Sequence, residues 1–136
     1  KSISTYGGNP VSMAATEATL SVMVRENIPS RAAGLGNIVR EHLMAMKAKY
    51  DIIGDVRGKG LMQAIELVED RKSKVPAVEK TSALMEAAKR HGLLIGRGGL
   101  YNNVIRLTPP MLSTPEEIIE GCRLLDIALG EVVARG

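Results

Sequence analysis

The stretch from Ile52 to Leu67 limits the fold of this chain more than any other feature. β-Branched residues alternate there with polar ones, and glycines interrupt the pattern. This period-two alternation places Leu61, Ile65 and Leu67 on one face of a strand. The opposite face carries Met62, Ala64 and Glu66. The pattern predicts two strands joined by a bend or bulge at Gly58–Gly60.

Two segments with helical periodicity precede these strands. The first predicted helix spans about residues 10–26, and Pro29 is interpreted as the residue that stops it. The second begins with Ser30 as its N-cap and continues to about Tyr50, because its apolar residues follow a helical period. We interpret the first helix as a connector, because it precedes the compact remainder of the chain.

The segment that follows the two strands predicts one more helix and two further strands. The helix spans about residues 76–91, and Gly92 is placed as its C′ residue. Leu93–Gly96 predicts a short buried strand, Gly98–Asn103 a hairpin-like loop, and Val104–Leu107 another strand.

The last helix has the clearest start signal in the chain. Thr114 is the predicted N-cap, Pro115 the first helical residue, and Glu117 completes a capping box. One apolar stripe then contains Ile118, Cys122, Leu125, Leu129 and Val132. The order of elements predicts an α+β fold: a small, mostly antiparallel sheet with helices packed on it, preceded by the connecting helix.

Composition excludes several classes of function. The single cysteine, Cys122, rules out an internal disulfide and suits a reducing compartment, so we expect a cytoplasmic protein. His42 and His91 lack a second ligand at metal spacing, so no metal site is predicted. The net charge of +3 is scattered and the chain is poor in aromatic residues, which argues against nucleic-acid binding. No apolar run reaches the roughly 20 residues that span a bilayer.

The front of the chain contains the loop Thr5-Tyr6-Gly7-Gly8-Asn9-Pro10. Two glycines allow a tight turn and close approach of the backbone to a ligand, and Asn9 suits the N-cap of the helix that follows. A helix N-terminus offers unpaired N–H groups and partial positive charge to an anion such as phosphate. The same residues also fit an ordinary capped helix after a glycine turn.

Several arginines are candidates for binding an anionic ligand. Arg106 lies in a predicted strand, and its planar guanidinium can grip a carboxylate with two hydrogen bonds. The alternatives for Arg106 are an ion pair with an acidic residue or an exposed sheet edge. Arg57 and Lys59 flank a predicted turn and are interpreted as solvating it. Arg97, which precedes a glycine loop, is placed at the edge of a possible site.

Three motifs resemble those of the class III aminotransferases, a family that uses pyridoxal 5′-phosphate (PLP). The segment Thr5–Pro10 is similar to the family's Thr-aromatic-Gly-Gly-Asn-Pro motif. Gly54–Met62 resembles the strand motif that opens the family's C-terminal domain, and Val104–Pro110 resembles its substrate-arginine strand. Within the family, Gly92–Pro110 is most similar to mitochondrial-type alanine–glyoxylate aminotransferases, with 4-aminobutyrate aminotransferases and dialkylglycine decarboxylase as close relatives.

The resemblance implies roles for individual residues. Thr5 would bind the PLP phosphate in the active site of the neighbouring subunit of a homodimer, and Gly7 and Gly8 would shape that pocket. Arg106 would hold the carboxylate of the substrate. The implied reaction moves an amino group from an amino acid of the alanine, β-alanine or 4-aminobutyrate type to a 2-oxo acid such as glyoxylate or pyruvate.

The chain departs from the family at one decisive point. The family's Schiff-base lysine lies upstream of the glycine motif, and none of the lysines here matches its motif, so no catalytic residue is assigned. We therefore expect residues 1–28 to end the large PLP-binding domain, residues 29–136 to form the small domain, and the chain alone to be inactive. The alternatives are a related PLP-dependent decarboxylase or aminomutase, or a stand-alone α+β binding domain; the mitochondrial matrix is the alternative compartment.

Overall fold

The computed structural model describes residues 7–135, which divide into two compact units, one up to Arg31 and one from Ala32 onward. The first unit contains helix α1, Pro10–Arg25, none of whose residues is buried. Helix α2, Ile28–Lys49, begins in the first unit and continues into the second. The assignment of residues 1–28 and 29–136 to a large and a small domain stays a prediction.

The second unit is built around a four-stranded antiparallel sheet. Its remaining elements are β1 (Ile53–Lys59), β2 (Met62–Leu67), α3 (Val78–Arg90), β3 (Gly96–Gly98), β4 (Val104–Leu107) and α4 (Pro115–Arg135). The strands lie in the order β1-β2-β4-β3, and every neighbouring pair is antiparallel. The predicted α+β class and the predicted order of helices and strands are confirmed.

One face of the sheet, the inner face, packs into the hydrophobic core. Val56, Ile65 and Ile105 are direct partners across β1, β2 and β4, and all three are buried. The core continues into the stripe of α4 that the sequence predicts, whose five members are all buried. Burial of such apolar side chains is the main favourable term in folding, so this face determines stability.

The start of α4 forms the capping box that the sequence predicts. The backbone N–H of Thr114 donates to the Glu117 carboxylate at 2.9 Å, and the backbone N–H of Glu117 donates to the Thr114 hydroxyl at 3.3 Å. These two reciprocal bonds satisfy donors that the helix itself leaves unpaired. The helix start is therefore fixed by local chemistry.

Helix α2 approaches the turn between β1 and β2 very closely. A Cβ built on Gly36 would lie 2.2 Å from the carbonyl oxygen of Gly60, a distance that real Cβ atoms do not show. Glycine at position 36 therefore allows the helix backbone to lie directly against the turn backbone.

Two local predictions about helix ends are wrong. The predicted span of the first helix is confirmed, since α1 ends at Arg25 with Glu26 as its C-cap. Helix α2, however, begins at Ile28, two residues before the predicted N-cap Ser30. Pro29 thus lies in the first turn of α2 and does not end the preceding helix. A proline is tolerated there because the first N–H groups of a helix have no partner within it.

Two strand predictions also differ from the structure. The apolar run Leu93–Ile95 is not a strand, and Leu94 is 85% exposed; the strand is the glycine-rich Gly96–Gly98. The prediction of a bend or bulge at Gly58–Gly60 is half right: the chain turns at Gly60 and Leu61, but β1 has no bulge there and stays in register through Lys59. The irregularity in the pairing lies at the start of β1, between Ile53 and Asp55.

Candidate functional site

The face of the sheet opposite the core, here called the outer face, carries the charged residues of β1, β2 and β4. Direct partners across the four strands form two adjacent rows on it. The first row contains Arg57, Ala64, Arg106 and Gly96; the second contains Asp55, Glu66, Val104 and Gly98. Successive residues of a strand point to opposite faces, so Arg106 faces outward while its β4 neighbours Ile105 and Leu107 face the core.

Arg57 is held by two carboxylates. Its Nη1 lies 2.9 Å from Oδ2 of Asp55 and 2.6 Å from Oε2 of Glu66. The Arg57 guanidinium keeps the pKa of Asp55 below its ordinary value, and the two acids raise the pKa of Arg57. The interpretation of Arg57 as a residue that solvates a turn is wrong, because Arg57 lies inside β1 and is paired across to β2.

Glu66 has a second polar neighbour. The side-chain amide of Asn103 donates to the Leu67 carbonyl at 2.8 Å and reaches Oε1 of Glu66 at 3.4 Å. Asn103 is 1% exposed. The carboxylate of Glu66 is therefore held from two sides, by the β1 arginine and by the loop before β4.

Arg106 differs from Arg57 in having no partner. Its side chain is exposed, and within residues 7–135 it makes neither a hydrogen bond nor an ion pair. The side chain lies over the glycines of β3: a Cβ on Gly98 would be 3.1 Å from Nε of Arg106, and a Cβ on Gly96 would be 4.0 Å from Nη2. The guanidinium is thus a free bidentate donor on the outer face, which is the chemistry that a carboxylate needs.

Arg97 does not join Arg106. It is the β3 partner of the inward-facing Ile105, and its Nη1 donates to Oγ of Ser82 in α3 at 2.7 Å. The placement of Arg97 at a site edge stays a prediction, and in this structure Arg97 ties the edge strand to a helix.

A pocket of about 350 Å³ lies beside the end of β4. Arg106 and Leu107 line it together with the loop that follows, segment 93–96 and one side of α4. The lining carboxylate of Glu117 is already engaged by the capping box. The pocket walls also include core residues of α4, so a ligand there would contact apolar side chains as well as Arg106.

The glycine motif before α1 is described from Gly7 onward, and Thr5 lies outside the described residues. Gly7 and Gly8 form an exposed turn in which Gly8 has φ +79°, and no atom of residues 7–135 lies within 4 Å of the place where its Cβ would be. Asn9 caps α1 as predicted, accepting from the N–H groups of Val11 and Ser12 at 2.9 and 3.2 Å. Those two N–H groups are therefore already satisfied, and an anion would meet the turn that precedes them.

The other candidate groups have structural explanations. Cys122 is 6% exposed in the α4 stripe, and burial raises the pKa of its thiol to about 11, so the thiol stays protonated at neutral pH. Between positions 7 and 135, no three His, Cys, Asp or Glu side chains are grouped as metal ligands. None of the helices described there is long and apolar enough to cross a membrane.

The family model for class-III aminotransferases matches residues 2–129. The chain belongs to the class-III aminotransferase family. Over 113 residues, this aminotransferase chain is 47% identical to the mitochondrial alanine–glyoxylate aminotransferase 2 homolog 2 of Arabidopsis thaliana, a match that covers 83% of this chain and 24% of the relative. It is also 36% identical over 129 residues to an alanine/serine racemase of Pyrococcus horikoshii, covering 95% of this chain and 27% of that protein.

The fold of this aminotransferase chain is shared with solved members of the family. An amine transaminase from an uncultivated Pseudomonas species, determined in its PLP-bound form, superimposes with a TM-score of 0.84 at 33% identity, over 95% of this chain and 29% of that one. The chain thus spans about a quarter of the length of the curated relatives it matches. The compartment expected from the sequence stays a prediction.

The amino-acid sequence does not specify the strand register of this site. Residue type and motif indicate Arg106, but they do not show that Glu66 and Gly98 lie next to it. Both become its neighbours only when β2 and β3 are paired with β4 in the observed register. A β-strand pattern fixes which residues share a face but does not fix which strands are adjacent.

Proposed function

We propose that the protein to which this chain belongs is a PLP-dependent aminotransferase in which Arg106 binds the carboxylate of the substrate. The amino donor is an amino acid of the alanine, β-alanine or 4-aminobutyrate type, and the acceptor is a 2-oxo acid such as glyoxylate or pyruvate. The observation that carries the proposal is the exposed, unpartnered guanidinium of Arg106 in a chain of this family. A charged donor with no internal partner can be satisfied by water or by an anionic ligand, and bidentate pairing strongly favours a carboxylate.

The glycine turn fits the phosphate of PLP in one respect. Gly7 and Gly8 are exposed, and nothing among residues 7–135 crowds the position of a Cβ on Gly8. Thr5, Gly7 and Gly8 would hold the phosphate through the hydroxyl and backbone N–H groups. PLP, when bound, supplies the electron sink that lets an amino group leave its carbon. The comparison with a PLP-bound transaminase supports this assignment.

The part of the reaction assigned to this chain is binding and orientation. Arg106 would fix the carboxylate end of the substrate, so that the amino end is presented in one orientation only. The class III resemblance adds that the glycine motif serves the neighbouring subunit of a homodimer, and we include that assembly in the proposal. Residues 1–136 alone are proposed to be inactive, since none of their lysines matches the family's Schiff-base lysine motif.

The proposal is tested by replacing Arg106 in the intact protein. Arg106→Gln removes the charge and the fork, and we expect KM for the carboxylate substrate to rise about 10- to 100-fold, the range for losing a charged hydrogen-bonded pair. Arg106→Lys keeps the charge but loses the bidentate geometry, so its KM should lie between those of the wild type and Arg106→Gln. Steady-state rates are measured with an amino acid and with a primary amine that lacks a carboxylate. The comparison separates a loss of carboxylate binding from a general loss of activity.

Arg123→Gln is the matched control, because Arg123 is also an exposed arginine but is paired with Glu120 on α4. It should leave both KM values unchanged. An Arg106→Gln enzyme with unchanged KM for the amino acid, or with equal losses for the amino acid and the carboxylate-free amine, would contradict a carboxylate-binding role.

A further inference from the structure

Glu66 lies within reach of two arginines on the outer face, Arg57 and Arg106. It lies on β2, between the strand that carries Arg57 and the strand that carries Arg106. Both arginines belong to the row that passes through Ala64, and Glu66 stands in the next row on the same face. Diagonal neighbours of this kind are about 7–8 Å apart and are within reach of long side chains. Register alone therefore allows a pair with either arginine.

The structure shows which pair forms. Glu66 accepts from Nη1 of Arg57 at 2.6 Å, and no ion pair joins Glu66 and Arg106 among the described side chains. Arg106 extends in the opposite direction, over Gly96 and Gly98 of β3. The acid is thus held toward β1 and the free guanidinium lies toward the other edge of the sheet.

Arg57 is well placed to hold Glu66 there. Its own position is fixed from a second side by Asp55, whose Oδ2 lies 2.9 Å from the same Nη1. Lys47 of α2 adds positive charge near Asp55 at 3.9 Å. Ala64, the residue between the two arginines in their row, is too short to interfere with any of these contacts. These four charged groups form one cluster that does not include Arg106.

We propose that Arg57 is a positioning residue for substrate recognition: by holding Glu66, it keeps the guanidinium of Arg106 unpaired and available to the substrate carboxylate. The inference rests on the proposed function of Arg106. Without Arg57, Glu66 keeps only the long 3.4 Å bond from Asn103, and as a diagonal neighbour on the outer face it can turn to Arg106. An internal Glu66–Arg106 pair would then compete with the substrate for the same donors.

The test uses the intact protein and four variants: Arg57→Gln, Glu66→Gln, the double variant, and Arg106→Gln. Arg57→Gln should raise KM for the amino acid about fivefold, the size of effect expected when a half-exposed ion pair forms in competition. kcat and the KM for a carboxylate-free primary amine should not change. Glu66→Gln alone should match the wild type, and adding it to Arg57→Gln should restore the wild-type KM, since the competing charge is gone.

A binding measurement provides a readout independent of turnover. Propanoate, an unreactive carboxylate, should inhibit the wild type and the double variant equally, and Arg57→Gln about fivefold more weakly. An Arg57→Gln defect that persists in the double variant would overturn the inference, because Arg57 would then act by a route that does not involve Glu66. An Arg57→Gln enzyme with wild-type KM and inhibition would overturn it as well.

If Arg57→Gln does not fold, Arg57→Lys replaces it. Lysine keeps the charge but has no planar fork with which to hold two acids, so KM should rise by about twofold and Glu66→Gln should remove that rise. The Arg106→Gln variant separates the two proposals. When Arg106→Gln raises KM but Arg57→Gln does not, only the positioning role fails. When Arg106→Gln has no effect, the carboxylate site itself is wrong and the positioning role fails with it.

Discussion

The two faces of the sheet meet in consecutive residues of β4, and they use the chain in opposite ways. Ile105 faces inward, is fully buried, and is paired with the buried Ile65 of β2. Arg106 faces outward, is exposed, and has no polar partner within residues 7–135. Ile105 contributes to stability through its packing contacts. Arg106 instead keeps guanidinium N–H donors that no side chain within residues 7–135 uses. Stability is thereby assigned to the inner residue and the proposed substrate recognition to the outer one, one residue apart on the same strand.

The largest expected effect comes from breaking the inner face. Ile105→Ala removes a buried side chain and leaves a cavity between β2, β4 and the helices, so the free energy of unfolding should fall by about 3 kcal/mol. Arg106→Ala, one residue along the strand, should change it by less than about 0.5 kcal/mol. Urea unfolding of the intact protein, monitored by circular dichroism, measures both. Equal losses for the two variants would show that the faces do not divide the roles as described.

The inner face could be predicted from the sequence because hydrophobic periodicity determines it directly. The alternation in β2, the stripe of α4 and the Thr114 capping box are all local patterns, and each is confirmed. Leu93–Ile95 shows the limit of that reasoning. A short apolar run indicates burial without distinguishing a strand from a loop, and a glycine-rich strand such as β3 has no strand signal at all.

The outer face could be predicted only in part. The residue type and motif of Arg106 indicate a carboxylate site, yet whether an arginine is free or paired depends on strand order and register. The sequence left open an ion pair between Arg106 and an acid, and that alternative is decided by Glu66 turning to Arg57. Such choices between two possible partners arise from tertiary geometry, which no local pattern encodes.

A smaller effect is expected from replacing Gly98, the β3 glycine that lies against the Arg106 side chain. A Cβ at position 98 would lie 3.1 Å from Nε and 3.4 Å from Cδ of Arg106, so Gly98→Ala should displace that side chain by a few tenths of an ångström. We expect KM for the amino acid to rise about threefold, because bidentate binding depends on orientation. The unfolding midpoint should not fall, since the displaced side chain is exposed and flexible.

Gly96→Ala is the control for this substitution. The nearest Arg106 atoms would lie 4.0 Å from the new Cβ, an ordinary contact, so neither KM nor stability should change. An equal rise of KM in both variants would point to a general effect of alanine on β3, and the view that the strand is glycine-rich to make room for Arg106 would then be wrong.

The smallest expected effect concerns the ion pairs of the outer face. Arg57 holds the pKa of Asp55 below its ordinary value. A carboxyl group whose pKa is lower in the folded state stabilises the protein above its unfolded pKa, near 3.9, and loses that contribution as the pH falls through the folded value. The pair is half-exposed, so solvent screening limits the contribution to about 0.5 kcal/mol or less. The difference in unfolding midpoint between the wild type and Asp55→Asn should therefore be small and constant from pH 6 to 8, and should shrink as the pH falls below about 4. Added salt should shrink it further, because exposed charges are screened. A difference that grew on acidification, or one as large as that of Ile105→Ala, would mean that the outer face contributes to stability as the inner face does.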